Sequence, residues 1–194
     1  MDIIKKLAQE LAIKEEQAKA AVQLIDEGNT IPFIARYRKE MTGALNDETL
    51  RNLHERLLYL RNLEEKKEQV INAITDQGKM TEDLKKKILS AETLVAVDDL
   101  YRPYRPKKQT RATKAKEKGL EPLANILLLQ KTTKSMEEEA AAFVNAEKGV
   151  ANAKEAIAGA KDIIAEMIAD MADYRKSIRN CTMKQGSLVV KAKD

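Results

Sequence analysis

The feature that most constrains the fold is a stretch from Asn46 to Gln77 that contains neither proline nor glycine. An uninterrupted stretch of roughly 30 residues permits one helix of about 45 Å, because each helical residue adds about 1.5 Å. Leucine and isoleucine recur at heptad spacing along it, at Leu50, Leu53, Leu57, Leu60, Ile71 and Ile74. Glu64 and Lys67 interrupt this apolar face, so we predict a long helix that packs at both ends and is solvated in its middle.

Composition extends the helical prediction to the rest of the chain. Only 4% of the residues are aromatic and there is no tryptophan, so the core must be built from leucine, isoleucine, alanine and methionine. Most of these are good helix formers. We therefore predict an all-α, multi-helical fold. The β-branched run SLVVKA, after Gly186, is the one segment that favours a short C-terminal strand.

Short helices are predicted before the long one. Apolar residues at three- and four-residue steps indicate two helices up to Gly28, and a third carries IPFIARYRKE at residues 31–40. This order is typical of a helix-turn-helix-like unit, which we place in residues 1–62 and which leads into the long helix. Its candidate nucleic-acid contacts are Arg36, Arg38 and Lys39. The alternative is a helical module used only for packing. Residues 63–194 are predicted to form a second helical region that is incomplete at its C-terminus.

The second region contains a basic segment, residues 102–118. It has eight basic residues and one acidic residue, a sum of +7 in a chain whose net charge is +4. Pro103 and Pro106 bias Arg102 and Arg105 toward extended geometry, so we predict a strut that becomes helical near Thr113. Such a strut offers cations to phosphates and rings to bases. The candidate contacts are Tyr101, Arg102, Tyr104, Arg105, Lys107, Lys108, Arg111 and Lys114.

Two alternatives accompany that prediction. The segment is either a nucleic-acid contact or a solvated basic loop whose tyrosines pack on neighbouring helices. The adjacent carboxylates Asp98 and Asp99 are expected to form salt bridges to it, since neighbours on a helix point apart and suit no metal.

An alanine-rich helix is predicted after residue 150. Its narrow apolar seam consists of Ala153, Ile157, Ala160, Ile164, Met167 and Met171. Gly159 lies beside this seam, where a missing side chain permits close approach of another helix. Leucine at this position should overpack the contact, whereas alanine should be tolerated.

The chain has no pattern of residues that indicates catalysis. It contains one histidine, His54, and one cysteine, Cys181, and its glycines form no phosphate-binding loop. We therefore expect no enzymatic activity, no catalytic residue, no metal site, no cofactor and no intrachain disulfide. No apolar run approaches the ~20 residues of a membrane span, so we expect a cytoplasmic protein without a membrane partner.

Four stretches resemble the Tex family of bacterial transcription accessory proteins. They are IPFIARYRKEMTGALNDETLR at residues 31–51, DLYRPYRPKKQTRATKAKEKGLEPLA at 99–124, GAKDIIAEMIAD at 159–170 and GSLVVKAK at 186–193. The resemblance implies a cytoplasmic nucleic-acid-binding protein linked to transcription, with a helical N-terminal region that includes a helix-turn-helix-like unit. It also implies that a ribonuclease-H-like domain, helix-hairpin-helix motifs and an S1 domain follow in the full-length family. The chain looks like the N-terminal fragment, without those three parts.

Two functions remain open from the sequence. In the first, this region is a monomer that binds RNA or DNA independently of sequence. In the second, it is a scaffold that braces the other domains and docks RNA polymerase or its associated factors, with no nucleic-acid binding of its own.

Overall fold

The computed structural model describes residues 2–106 and 108–192 and is 71% helical, so the all-α prediction is confirmed. The chain forms two compact units, residues 1–97 and 98–194, and the division falls within helix α7. The first unit contains α1 (Ile3–Glu10), α2 (Glu15–Asp26), α3 (Ile31–Tyr37), α4 (Lys39–Thr42), α5 (Asp47–Asp76), α6 (Glu82–Ser90) and the start of α7 (Leu94–Tyr101). The second contains α8 (Arg111–Glu117), α9 (Glu121–Leu129), α10 (Met136–Ala141), α11 (Ala153–Asp170) and α12 (Ala172–Gln185).

Helix α5 is the predicted long helix and forms the core of the first unit. Asn46 caps it by accepting a hydrogen bond from the Thr49 amide at 2.7 Å. Its buried face packs against α1, α2, α3 and α6. That face consists of Leu50, Leu53, Leu57, Leu60, Leu63, Lys67, Val70 and Ile74. The boundary predicted at residue 62 lies inside this helix. The compact units divide after Val97, because α5 packs within one unit along its length.

The inward face of α5 stays buried through its middle at Leu63 and Lys67, so the prediction that the middle is solvated is wrong. Lys67 is only 2% exposed, and its Nζ donates hydrogen bonds to Glu64 Oε1 at 2.8 Å and to the Leu89 carbonyl at 2.9 Å. That carbonyl lies in the last turn of α6, where helix carbonyls lack intrahelical partners and favour a cation. Burial opposes ionisation of Glu64, yet hydrogen bonds that include the one from Lys67 lower its pKa.

The turn between α4 and α5 fixes the position of α3 and α4. Gly43 adopts φ +60°, and a Cβ there would come within 2.7 Å of Gln17 Nε2. From α2, Gln17 Nε2 donates to the carbonyls of Thr42 and Gly43 at 3.2 and 2.9 Å. The predicted third helix is in fact two, because Arg38 leaves helical geometry at φ −125° and separates α3 from α4.

Helix α11 forms the core of the second unit and packs against α8, α9 and α10. Ala156, Ile157, Ala160 and Ile163 are its buried apolar residues. The predicted seam is therefore correct only in its N-terminal half, since Met167 and Met171 are exposed. A Cβ at Gly159 would meet Leu120 Cδ1 at 2.4 Å and Ala115 Cβ at 3.2 Å, so the close approach is made by side chains of α8 and the turn after it.

The predicted C-terminal strand is not formed. Among the described residues the structure has no strand, and Leu188, Val189 and Val190 are highly exposed. A strand needs a partner for its backbone hydrogen bonds, and no described segment pairs with this one.

Candidate nucleic-acid interface

The basic segment is less extended than predicted. Helix α7 passes directly into a 3₁₀ turn, Arg102–Tyr104, and the Arg105 amide donates to the Tyr101 carbonyl at 3.1 Å. Pro103 fits this turn because the first residues of a helix need no amide hydrogen bond. Only Arg105, at φ −65° and ψ 135°, has the predicted extended geometry. Helix α8 begins at Arg111, two residues before Thr113, because Thr110 caps it by accepting from the Thr113 amide at 3.0 Å.

Acidic side chains of the same unit neutralise much of the segment. Arg102 Nε donates to Asp170 Oδ1 at 2.9 Å, and an Arg105 Nη atom donates to Asp98 Oδ1 at 3.0 Å. Four cations of the segment have acidic partners among the described residues: Arg102 with Asp170, Arg105 with Asp98, Arg111 with Asp162, and Lys116 with Glu121. The local charge that a phosphate would meet is therefore well below the sum read from the sequence.

Two predicted contacts of the segment keep their charge unopposed. Lys108 and Lys114 are exposed and have no acidic partner among residues 2–106 and 108–192. Lys107 lies outside the described residues. Beside α8, a groove of about 240 Å³ is lined by Arg111, Lys114 and Lys118 together with the acids Glu155 and Asp162. The groove is therefore of mixed charge.

The two predicted stacking rings are only half-exposed. Tyr101 and Tyr104 are both partly buried, and the Arg105 guanidinium carbon lies 5.6 Å from the centre of the Tyr101 ring. A base would have to displace this arginine to reach that face.

Asp99 was predicted to pair with the basic segment, but among the described residues its partners lie on α12 instead. Its carboxylate accepts from Arg175 Nε at 2.7 Å and from an Nη atom of Arg179 at 2.6 Å, both on α12. Burial opposes its ionisation, but the two guanidinium groups lower its pKa below the ordinary value. The pairing with the segment is correct for Asp98 alone.

A second basic surface lies on α3 and α4. We call it the α3–α4 patch and define it by Phe33, Arg36, Tyr37, Arg38 and Lys39. All five side chains are exposed, because α3 packs through Ile34, which is fully buried. Arg36, Arg38 and Lys39 have no acidic partner within the part of the chain that the structure describes.

The rings of this patch were not among the predicted contacts. Phe33 and Tyr37 stand four residues apart on one helix face, with ring centres 5.3 Å apart and planes inclined by 47°. The Arg38 guanidinium carbon lies 5.2 Å from the Phe33 ring centre, and that of Arg36 lies 5.9 Å from the Tyr37 ring centre. The i, i+4 spacing in the sequence was the signal that could have identified them.

Across the described ranges, no group of three or more histidine, cysteine or acidic side chains is arranged to hold a metal ion. In the same ranges, no helix has the length and apolar character needed to cross a bilayer.

The fold and surface thus define an all-α protein of two helical units with exposed cations in each. Comparison with protein families identifies these units further. Residues 1–75 match the Tex-like protein N-terminal domain, and residues 131–194 match the Tex central region-like family. The chain belongs to the Tex family.

Relatives match nearly the whole chain. It is 48% identical over 183 residues to Protein YhgF of Escherichia coli, covering 94% of this chain and 24% of that protein. It is 43% identical over 180 residues to the Transcriptional accessory protein Tex of Neisseria gonorrhoeae, covering 93% and 23%. It is 32% identical over 186 residues to the human S1 RNA-binding domain-containing protein 1, covering 95% and 18%. The chain therefore spans about a quarter or less of the length of these relatives.

Proposed function

We propose that this chain is the helical part of a transcription accessory protein and that it binds nucleic acid independently of sequence. The observation that carries the proposal is a set of cations without acidic partners among the described residues. They are Arg36, Arg38, Lys39, Lys108 and Lys114. Such cations attract phosphates by releasing condensed counterions, and this attraction carries no sequence information.

Family membership supports the transcription part of the proposal. A relative is named a transcriptional accessory protein and another an S1 RNA-binding domain-containing protein. We propose a binding role without catalysis, since the chemistry of the described surface is that of cations and rings rather than of a nucleophile, base or metal.

A helix-turn-helix-like role is proposed for α2 and α3. The four-residue connection between them contains Gly28 at φ +84°. Helix α3 follows this turn and exposes one face to solvent. Helix α3 has only seven residues, about 10 Å, which limits how many bases of a major groove it could reach. We therefore propose contact with the backbone rather than base reading in a duplex.

The proposal is tested by binding of the 194-residue chain to fluorescent single-stranded and duplex oligonucleotides across a salt series. Five cations in contact with duplex phosphates give a slope of about −4.5 in log affinity against log salt, with dissociation constants of about 10⁻⁴ to 10⁻⁶ M. Replacing Arg36, Arg38 and Lys39 with alanine should reduce the slope to about −1.8.

A matched control is available in the same unit. Lys79, Lys85 and Lys86 are also exposed and lack acidic partners in the described ranges, so their replacement with alanine removes the same charge elsewhere. Equal losses in the two triple variants would show only a net-charge effect. No binding by the parent at low salt would reject the proposal and favour the scaffold that docks RNA polymerase or associated factors.

A further inference from the structure

We propose that the α3–α4 patch is a stacking site for the bases of single-stranded nucleic acid. The inference rests on the proposed function and deepens it by naming the form of the ligand and the rings that recognise it. Phe33 and Tyr37 supply the flat surfaces, and Arg36, Arg38 and Lys39 supply charge for the adjoining phosphates.

The exposure of these rings is the first step. The chain has only seven aromatic side chains, five tyrosines and two phenylalanines. Two of them lie together on the outer face of α3, where Phe33 is 36% and Tyr37 is 60% exposed. Aromatic rings usually bury most of their area in a core, so a pair of rings facing outward on one short helix indicates a surface that contacts something else.

The charge around the rings selects the ligand. The centre of a protein docking surface is enriched in aromatic residues and arginine but depleted of lysine and of charge overall, so unopposed cations beside the rings favour an anionic ligand. Here each ring has a guanidinium within about 6 Å, and Lys39 follows directly. Within the described residues these three cations have no carboxylate partner. A surface of rings and unopposed cations complements a ligand of flat bases and anionic phosphates.

The flatness of the rings selects unpaired bases over a duplex. In a duplex each base face is already stacked on its neighbours, so a ring can reach it only by unstacking the helix. In a single strand the base faces are available, and a guanidinium plane stacks on a base as an aromatic ring does. The patch should therefore prefer single strands of RNA or DNA, which present the same stacking surface.

The frame beneath the patch is fixed before any ligand arrives. Ile34 is fully buried beneath α3, and the hydrogen bonds from Gln17 hold the end of α4. Thr42, also fully buried, donates through Oγ1 to the Arg38 carbonyl at 3.2 Å. Because the backbone is already ordered, binding need order only the five exposed side chains.

The test compares two single-stranded oligonucleotides of equal length and charge, one with bases and one in which most positions are abasic. The parent chain should bind the base-containing strand at least about tenfold more tightly, because stacking is available only there. In the double variant Phe33→Leu and Tyr37→Leu this ratio should fall close to one, while the salt slope stays unchanged. Leucine keeps the apolar area and favours helix, and circular dichroism verifies that the variant folds.

Tyr174→Leu is the matched ring control, since Tyr174 is 49% exposed on α12 and outside the patch. The control should keep the parent's ratio. A parent that binds both strands equally, or a double variant that keeps the parent's ratio, would overturn the inference and leave electrostatic binding intact. If the double variant, unlike the control, bound neither strand, the inference would also be overturned, since the rings would then support the folded structure rather than stack on bases. Absence of binding to either strand by the parent would reject the proposed function as well.

Discussion

The basic segment carries more cations than the α3–α4 patch, yet among the described residues the patch keeps a larger share of its cations without an acidic partner. The segment lies in a unit with 19 basic and 14 acidic residues, and four of its described cations pair with acids of that unit. The patch lies in a unit with 16 basic and 17 acidic residues, but in the described ranges none of those acids reaches it. A local sum of charges in sequence therefore does not measure the charge that a surface presents.

The two regions also differ in what their cations do. In the second unit, ion pairs join elements far apart in sequence, as Arg102 and Asp170 do across 68 residues. Those arginines contribute to tertiary structure and are partly screened as ligand contacts. In the α3–α4 patch, Arg36 and Arg38 lie over the rings of α3, where they remain available to an anion.

The largest expected effect comes from reversing two charges in each region. Changing Arg36 and Arg38 to glutamate should weaken binding to single-stranded oligonucleotides about 100-fold at low salt, since two phosphate contacts become repulsive. Changing Lys108 and Lys114 to glutamate should weaken it about tenfold, because the acids that line the groove beside Lys114 already repel phosphate there. Fluorescence anisotropy measures both. The same change in net charge makes each variant the control for the other, and a larger loss from the lysine pair would reverse the comparison.

A second prediction concerns how α8 is held in place. Gly159→Leu should lower the free energy of unfolding by about 1–3 kcal/mol, because its side chain would collide with Leu120 and Ala115 in the core of the second unit. Alanine was expected from the sequence to be tolerated, but a Cβ at 2.4 Å from Leu120 Cδ1 predicts a loss of about 1 kcal/mol for alanine too. Urea unfolding measures both. Stability equal to the parent in both variants would contradict this packing.

A third prediction concerns Asp99, whose carboxylate pairs with Arg175 and Arg179 on α12 rather than with the basic segment. Asp99→Asn should lower the free energy of unfolding by about 1–2 kcal/mol at pH 7, because two charge-assisted hydrogen bonds weaken. The pKa of Asp99 is lowered in the folded chain, so its negative charge stabilises the folded state at pH values above the ordinary pKa of about 3.9. This stabilisation is lost as the pH falls through the folded pKa. The difference between parent and variant should therefore shrink below about pH 4. A difference that stays constant as the pH falls from 7 to the acid limit of folding would show that the loss is not electrostatic.

Local signals explain how much of the fold could be predicted. The ends of α5 follow from Asn46 as a cap and from the absence of proline and glycine, and both are visible in sequence. Burial of Lys67 was not predictable, because its partner is the Leu89 carbonyl on another helix. The heptad rule treats lysine as an interruption, whereas a helix-end carbonyl makes it a satisfied core residue.

The candidate site shows the same limit. Arg36, Arg38 and Lys39 were identifiable as cations on a short helix, and the spacing of Phe33 and Tyr37 was visible beside them. Which face of α3 is outward depends on where Ile34 packs, which only tertiary structure decides. The sequence alone does not show which acids pair with the basic segment, because Asp162 and Asp170 are distant from it in sequence and lie in the predicted alanine-rich helix.

The smallest expected effect is a gain rather than a loss of binding. Asp162 pairs with Arg111 at 3.6 Å, and the Arg111 side chain is 87% exposed, so this acid screens a cation that otherwise faces solvent. Asp162→Asn should raise affinity for single-stranded oligonucleotides about threefold at low salt and make the salt slope steeper by up to about 0.7, one phosphate contact. Stability should change by less than about 1 kcal/mol, since exposed ion pairs contribute little. Asp173 is an acidic residue of α12 that forms no ion pair within the described residues. The control variant Asp173→Asn removes the same charge and should change affinity less. Equal gains from the two variants would mean that only net charge matters, and a gain confined to Asp162→Asn would show that the basic segment contacts nucleic acid once its acids are removed.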